Sequence, residues 1–321
     1  MYHPKAIVDL IAGNVRKTRN PFGAFHFVMN RWWKNLDLPR DGSTLFYTGL
    51  MVQSVPFIER ITRQLEALED TSWAPLVGYG SWIPKRLVQV GSLFMTTPKE
   101  RAPYEQILKD MVALLRRSGV RFAYRPDLDL YSGILLYDLG DQEAFEAHAR
   151  FVAKRLQEAG VRTLITVDPH TTYAFKVLYP KYVGAEFEVR TYFELLRLQG
   201  EPNGTRVTLH DPCFFGRYLK LSHVPRRVLR DVGVAVADVQ QSGPLTHCCG
   251  GPAESVSPKL SREIVERRVD QLKQTGAPIL SMCPICMGNL KKAGADVQDL
   301  ASFLARRVSS SGNGQNRKDQ T

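Results

Sequence analysis

Apolar and polar positions alternate between two designs along most of the chain. Two stretches, Asp141–Gly160 and Leu260–Gly276, space their apolar residues as a helix does and end on glycine. Each is followed within a few residues by a β-rich run, Thr163–Val167 and Pro278–Met282, then by a proline-containing turn and another helical segment. Earlier, Thr44–Tyr47 is a short apolar run entering the turn Thr48-Gly49, which predicts a buried strand. Residues 76–126 carry glycine and proline breaks around a helical piece near Glu105–Ser118. Strand–helix–strand order repeated in this way predicts an α/β protein with parallel sheets. Residues 1–43 read as a helical, basic and aromatic leader, broken at Asn20-Pro21-Phe22-Gly23, with Trp32 and Trp33 packing into the core. The polar run from Ser309 to Thr321 predicts a disordered tail. The expected division is 1–43, 44–200, 201–308 and 309–321.

An internal repeat sharpens this picture. Tyr131-Ser132-Gly133 matches Cys248-Cys249-Gly250, and each is followed by a helix ending in glycine and then a strand. The strands end at Asp168-Pro169-His170-Thr171 and at Cys283-Pro284-Ile285-Cys286. Upstream, Thr44–Met51 sits where Val207–Phe214 sits later, so Leu50 corresponds to Cys213. The chain therefore reads as two similar Rossmann-like units. In the first, every cysteine position is taken by another residue.

Composition adds limits. Of 321 residues, 44% are hydrophobic and 23% charged, which suits a globular protein with a real core. No apolar stretch approaches the length of a bilayer crossing, and no secretory signal pattern opens the chain, so the cytoplasm is the expected location. The net charge of +11 is spread along the chain without a nucleic-acid motif. It predicts a solvated basic surface or docking to an acidic partner, and no nucleic acid.

All five cysteines fall between Cys213 and Cys286. An odd, clustered set predicts metal or redox chemistry rather than a secreted disulfide framework. In parallel α/β units each cysteine group falls at the C-terminal end of a strand, the usual ligand edge of an open sheet. Thiolates suit iron–sulfur clusters, zinc or copper(I). Five exceed the four that a tetrahedral zinc takes, although a fifth thiol can stand idle, and zinc in a structural module remains the alternative.

Cys213, Cys248-Cys249-Gly250 and Cys283-x-x-Cys286 resemble the cysteine-rich CCG domain of the B-type component of heterodisulfide reductase and its D-type relatives. His210–Arg217 resembles that family's first cysteine segment, His247–Pro252 its central one and Met282–Cys286 its last. The resemblance implies a duplicated CCG-type fold and an oxidoreductase subunit passing electrons between a ferredoxin-like or flavin-containing partner and a small disulfide, thiol or sulfur compound. It implies one [4Fe-4S] cluster, of the non-cubane kind in heterodisulfide reductase, on Cys213, Cys248, Cys249, Cys283 and Cys286. The expected location extends to the periphery of a membrane complex. The N-terminal unit is expected to hold no such cluster. His210, His247 and Arg217 are candidates for proton relay, sulfur hydrogen bonding or anion binding. Tyr131, Tyr137, Asp168 and His170 line the first unit's equivalent edge, either as a relic filled by hydrogen bonds or as a substrate pocket.

Overall fold

The structure is a computed structural model that describes residues 4–69, 84–255 and 257–315. The glycine and proline breaks expected between residues 76 and 83 lie outside the described residues.

The leader is only partly helical. Helix α1 spans Pro4–Thr18, and α2 is a single turn, His26–Met29. The break between them is built by Asn20, whose Oδ1 accepts from the Phe22 and Ala24 amides and whose Nδ2 donates to the Ala24 carbonyl. Residues 30–43 form no helix. They wrap the core through Trp32, which is buried and donates from Nε1 to the Tyr124 hydroxyl at 3.2 Å.

Strand β1, Thr44–Tyr47, follows as the sequence predicts. Helices α3 (Met51–Glu69), α4 (Lys85–Ser92) and α5 (Pro98–Arg117) come next. Helix α5 starts earlier than its apolar spacing predicts because Thr97 and Glu100 form a capping box. The Thr97 hydroxyl accepts from the Glu100 amide, and the Glu100 carboxylate accepts from the Thr97 amide at 2.7 Å. Then come α6 (Ile134–Asp138), α7 (Gln142–Glu158), β2 (Thr163–Thr166), α8 (Pro169–Tyr173), α9 (Tyr179–Val183) and β3 (Glu188–Thr191).

The second half contains β4 (Arg206–His210), α10 (His223–Asp231), β5 (Ala235–Val236), α11 (Pro258–Lys273), β6 (Ile279–Ser281), α12 (Pro284–Lys292), β7 (Val297–Asp299) and α13 (Leu300–Gln315). Helix α13 carries on through Gln315, where an irregular tail is expected from Ser309. There the Ser309 hydroxyl donates back to the Ala305 carbonyl, which ties it to the preceding turn.

The two halves share one plan. The first sheet has the parallel order β1-β2-β3, and the second β5-β4-β6-β7. A parallel bridge between Leu45 and Ala123 supplies the first sheet with the neighbour that β5 gives β4. Register repeats as well. Tyr47 pairs with Thr166, and its counterpart His210 pairs with Ser281. Gly133 and Gly250, matched in the repeat, both adopt left-handed backbone, with φ of 87° and 82°.

One apolar core runs through both halves. Phe46, Ile165 and Phe193 from the first join Val207, Leu209 and Met287 from the second. The rings of Phe193 and Phe215 meet edge to face at 5.0 Å. Because this core is common, we expect urea to unfold the chain in one transition. Phe193→Ala should lower stability by about 3–5 kcal/mol, read as a shift of that single midpoint.

Candidate metal centre

The five cysteines meet at the C-terminal edge of the second sheet. Cys213 lies just after β4, and Cys248-Cys249 enter on the loop leading to α11. Cys283 is the N-cap of α12, its Sγ accepting from the Cys286 amide at 3.5 Å, and Cys286 lies in the first turn. The ionisation of each thiol is tied to that of its neighbour in a chain, Cys213 with Cys248, Cys248 with Cys249, Cys249 with Cys286, and Cys286 with Cys283. Cys249, Cys283 and Cys286 are buried, while Cys213 and Cys248 are half-buried, so one end of the chain reaches solvent.

Local backbone makes this convergence possible. A Cβ on Gly250 would lie 2.5 Å from the Ser261 carbonyl oxygen, so only glycine lets the turn after Cys249 sit against α11. The Gly250 amide in turn donates to Cys248 Sγ at 3.3 Å. A Cβ on Gly216 would lie 2.5 Å from the Gly243 carbonyl oxygen, so the π-helical turn Phe214–Tyr218 also packs against that loop through a missing side chain. π-turns are frequent at functional sites, and this one begins immediately after Cys213.

A polar frame holds the loop that delivers Cys248. The buried Asp211 carboxylate takes a bidentate contact from Arg226, at 2.8 and 2.7 Å, and a hydrogen bond from the Gly243 amide. Thr246 donates to the Asp211 carbonyl at 2.7 Å. Arg268, 1% exposed, donates to the Gln241 carbonyl and to Nδ1 of His210. None of these roles is evident from motif reading. The signal for Arg268 is its place on the apolar stripe of α11 beside Val265, Val269 and Leu272, where an arginine is out of pattern.

The other candidate residues divide. His210 is buried at the end of β4, where one of its ring nitrogens, Cys249 Sγ and Cys286 Sγ all lie within 4.8 Å of one another. His247 is exposed and its Nδ1 pairs with the Gln271 amide at 2.8 Å. Arg217 is exposed. In the first unit Asp168 caps α8 as Cys283 caps α12, accepting from the His170 and Thr171 amides, both at 2.9 Å. Tyr131 is buried, its hydroxyl accepting from the Leu135 amide, and Tyr137 packs on Phe145 and Tyr182. His170 alone of this group crosses to the thiols, hydrogen-bonding Cys283 and standing edge-on to Phe214.

Charge in the thiol chain alternates. Hydrogen bonds from Cys213 and Cys249 pull Cys248 down to about 2. Burial opposes ionisation of Cys283, yet hydrogen bonds from Cys286 and His170 bring it down to about 5. Cys213, Cys249 and Cys286 are pushed up, because each hydrogen-bonds a neighbouring thiolate and burial disfavours further charge. Burial lowers His170, but Cys283, Asp138 and Asp168 outweigh it and hold it up at about 9. Burial, with the Arg268 charge, pushes His210 down to about 3.

Residues 207–291, which contain all five cysteines, match the model of the cysteine-rich CCG domain. The chain is 31% identical over 225 residues to a probable membrane-anchored ferredoxin of Chromohalobacter salexigens, covering 63% of this chain and 33% of that one. It is 28% identical over 224 residues to the probable iron-sulfur-binding oxidoreductase FadF of Bacillus subtilis (64% and 32%). It is 29% identical over 219 residues to the D-type component of the dihydromethanophenazine:CoB–CoM heterodisulfide reductase of Methanosarcina barkeri (61% and 53%). The chain thus spans between a third and about half of the length of these relatives. Its second unit thus matches the cysteine-rich CCG domain, and its first unit repeats the same sheet plan without cysteines. The chain as a whole is similar to the iron–sulfur oxidoreductase and the D-type heterodisulfide reductase component just named.

Metal binding needs thiolates, and three of the five sulfurs are held as thiols. Loading must therefore release protons, and affinity should rise with pH. Cobalt(II) titration of the metal-free chain at pH 6.5 and 8.0, followed by thiolate-to-metal absorption, should show at least tenfold tighter binding at the higher pH. Gly250→Ala should lose that absorption at both, because its Cβ displaces Cys249.

Proposed function

We propose that Cys213, Cys248, Cys249, Cys283 and Cys286 together hold one iron–sulfur cluster of the [4Fe-4S] type, and that the chain is an electron-transfer subunit of an oxidoreductase complex. The observation that carries this reading is the convergence of all five cysteines on one sheet edge, with Cys249 and Cys286 sulfurs within 4.8 Å of each other. A tetrahedral zinc would leave one of them without a metal.

The residues suit such a group. Three thiols must ionise, which only a cationic centre among them makes favourable. The Gly250 and Cys286 amides already point at sulfur, as donors around such clusters do. The Nε2 atom of His210 is buried and has no partner in the protein. When bound, the cluster supplies reversible one-electron transfer.

The chain's own residues do the rest. Cys249, Cys283 and Cys286 form the dry side of the site, and the half-buried Cys213 and Cys248 form the side from which a partner approaches. Beside that side stand Phe214, Tyr173 and the exposed Tyr218 in mutual ring contact. The first unit, with Leu50, Tyr131, Ser132, Asp168 and Thr171 at the cysteine positions, carries no second cluster and serves as a wall. Electrons then come from a ferredoxin-like or flavin-containing partner and go to a disulfide, a sulfur compound or another carrier. The basic surface suits an acidic partner. Among the described residues no helix is long and apolar enough to cross a membrane. A cytoplasmic place at the periphery of a membrane complex fits this reading.

Iron, sulfide and zinc analysis of anaerobically purified protein, with electron paramagnetic resonance, tests the proposal. It expects about four irons per chain, with the signal lost in Cys213→Ser and Cys249→Ser and retained in Asp168→Ala. One zinc and no iron would overturn it in favour of a structural zinc module.

A further inference from the structure

The buried pair His210 and Arg268 does more than pack. A guanidinium has donors only, and Arg268 Nε points its N–H at His210 Nδ1 across 3.1 Å. Nδ1 must therefore offer its lone pair. The neutral ring then carries its proton on Nε2, since a proton on Nδ1 would set two donors against each other.

Arg268 cannot turn away from this task. Its Nη1 donates to the Gln241 carbonyl and to Gln271 Oε1, at 2.9 and 3.0 Å, and its Nη2 reaches Thr246 Oγ1 at 3.4 Å. The ring is equally fixed, because His210 ends β4 and is paired with Ser281 of β6, two residues before Cys283. The Nε2–H is thus an oriented donor, buried, and without a protein acceptor. A donor left unmet in this way is costly, so an acceptor in the site is favoured. Nearby stand Cys249 and Cys286.

The same arrangement rules out a second role. A ring whose Nδ1 accepts a hydrogen bond has no lone pair on Nε2 to give to a metal, so His210 is not a ligand in this frame. The first unit provides a control within the chain. Tyr47 occupies the place of His210 in β1, and its hydroxyl donates to the Leu130 carbonyl at 2.6 Å. The unit without thiols has no donor aimed at its equivalent site from this position.

We propose that Arg268 locks His210 as an Nε2–H donor towards the cluster site beside Cys249 and Cys286, making His210 a positioning residue that raises the cluster's reduction potential. This rests on the five-cysteine reading above. A hydrogen bond to sulfur favours the more negative, reduced state. Removing it therefore lowers the potential.

The test uses the full chain loaded with its cluster and labelled with ¹⁵N-histidine. Electron–nuclear double resonance of a His170→Gln background, which removes the neighbour of Cys283, should show weak histidine nitrogen coupling that is lost when His210→Gln is added. Iron content should stay the same in His210→Gln, and its midpoint potential should fall. A tenfold loss of preference for the reduced state reads as about 59 mV for a one-electron couple. Arg268→Lys should give part of that shift, and His210→Asn serves if the glutamine variant does not fold. Strong, directly bonded nitrogen coupling with loss of iron in the variants would make His210 a ligand and overturn the proposal. So would an unshifted potential in an iron-replete His210 variant. Iron-free wild-type protein would instead sink the cluster reading itself, and this one with it.

Discussion

Five sulfur atoms gathered at one sheet edge, three of them buried, confront the fold with an electrostatic constraint. Each thiolate placed there raises the cost of the next, because little water remains to screen them. The balance falls unevenly: neighbouring thiols hold Cys248 and Cys283 low, and burial with the same neighbours holds Cys249 and Cys286 high. A multinuclear cation in their midst would remove the conflict and let all five act alike. Much else in the second unit serves to hold the sulfurs there, from the glycines that let loops close to the arginines that brace them.

The bracing is layered. Asp211, Arg226 and Thr246 tie the loop that carries Cys248-Cys249 back to the segment that carries Cys213. Arg268 ties the same loop to β4 through His210. Arg226 makes its buried contact as a bidentate pair, the geometry in which a guanidinium is most specific. A loop fixed at several points places its cysteines with little freedom to lose on binding, which is what a preorganised site requires.

The first unit shows what the same architecture does without thiols. Oxygen takes over the work of sulfur, and Asp168 caps α8 with two backbone hydrogen bonds where Cys283 caps α12 with one. Asp129 closes the turn after β1, accepting from the Thr48 and Gly49 amides. The unit has not become independent. It shares a core with its partner and lends His170 to Cys283.

Much of this was legible in the sequence. The short apolar runs and helical spacing located β1, β2, β6, α7 and α11, because such runs and amphipathic stripes are local properties. The repeat aligned Tyr131-Ser132-Gly133 with Cys248-Cys249-Gly250, and the matching glycine backbone bears the alignment out. The cysteine spacing pointed to one site, because in parallel units strand ends share an edge. Tertiary structure alone decided the rest. That Arg268 meets His210 across 58 positions, that His170 crosses from one unit to the other, and that His247 and Arg217 stay at the surface all depend on how helices pack on sheets. Such contacts join residues far apart in the chain, and no local pattern encodes which side chain faces which.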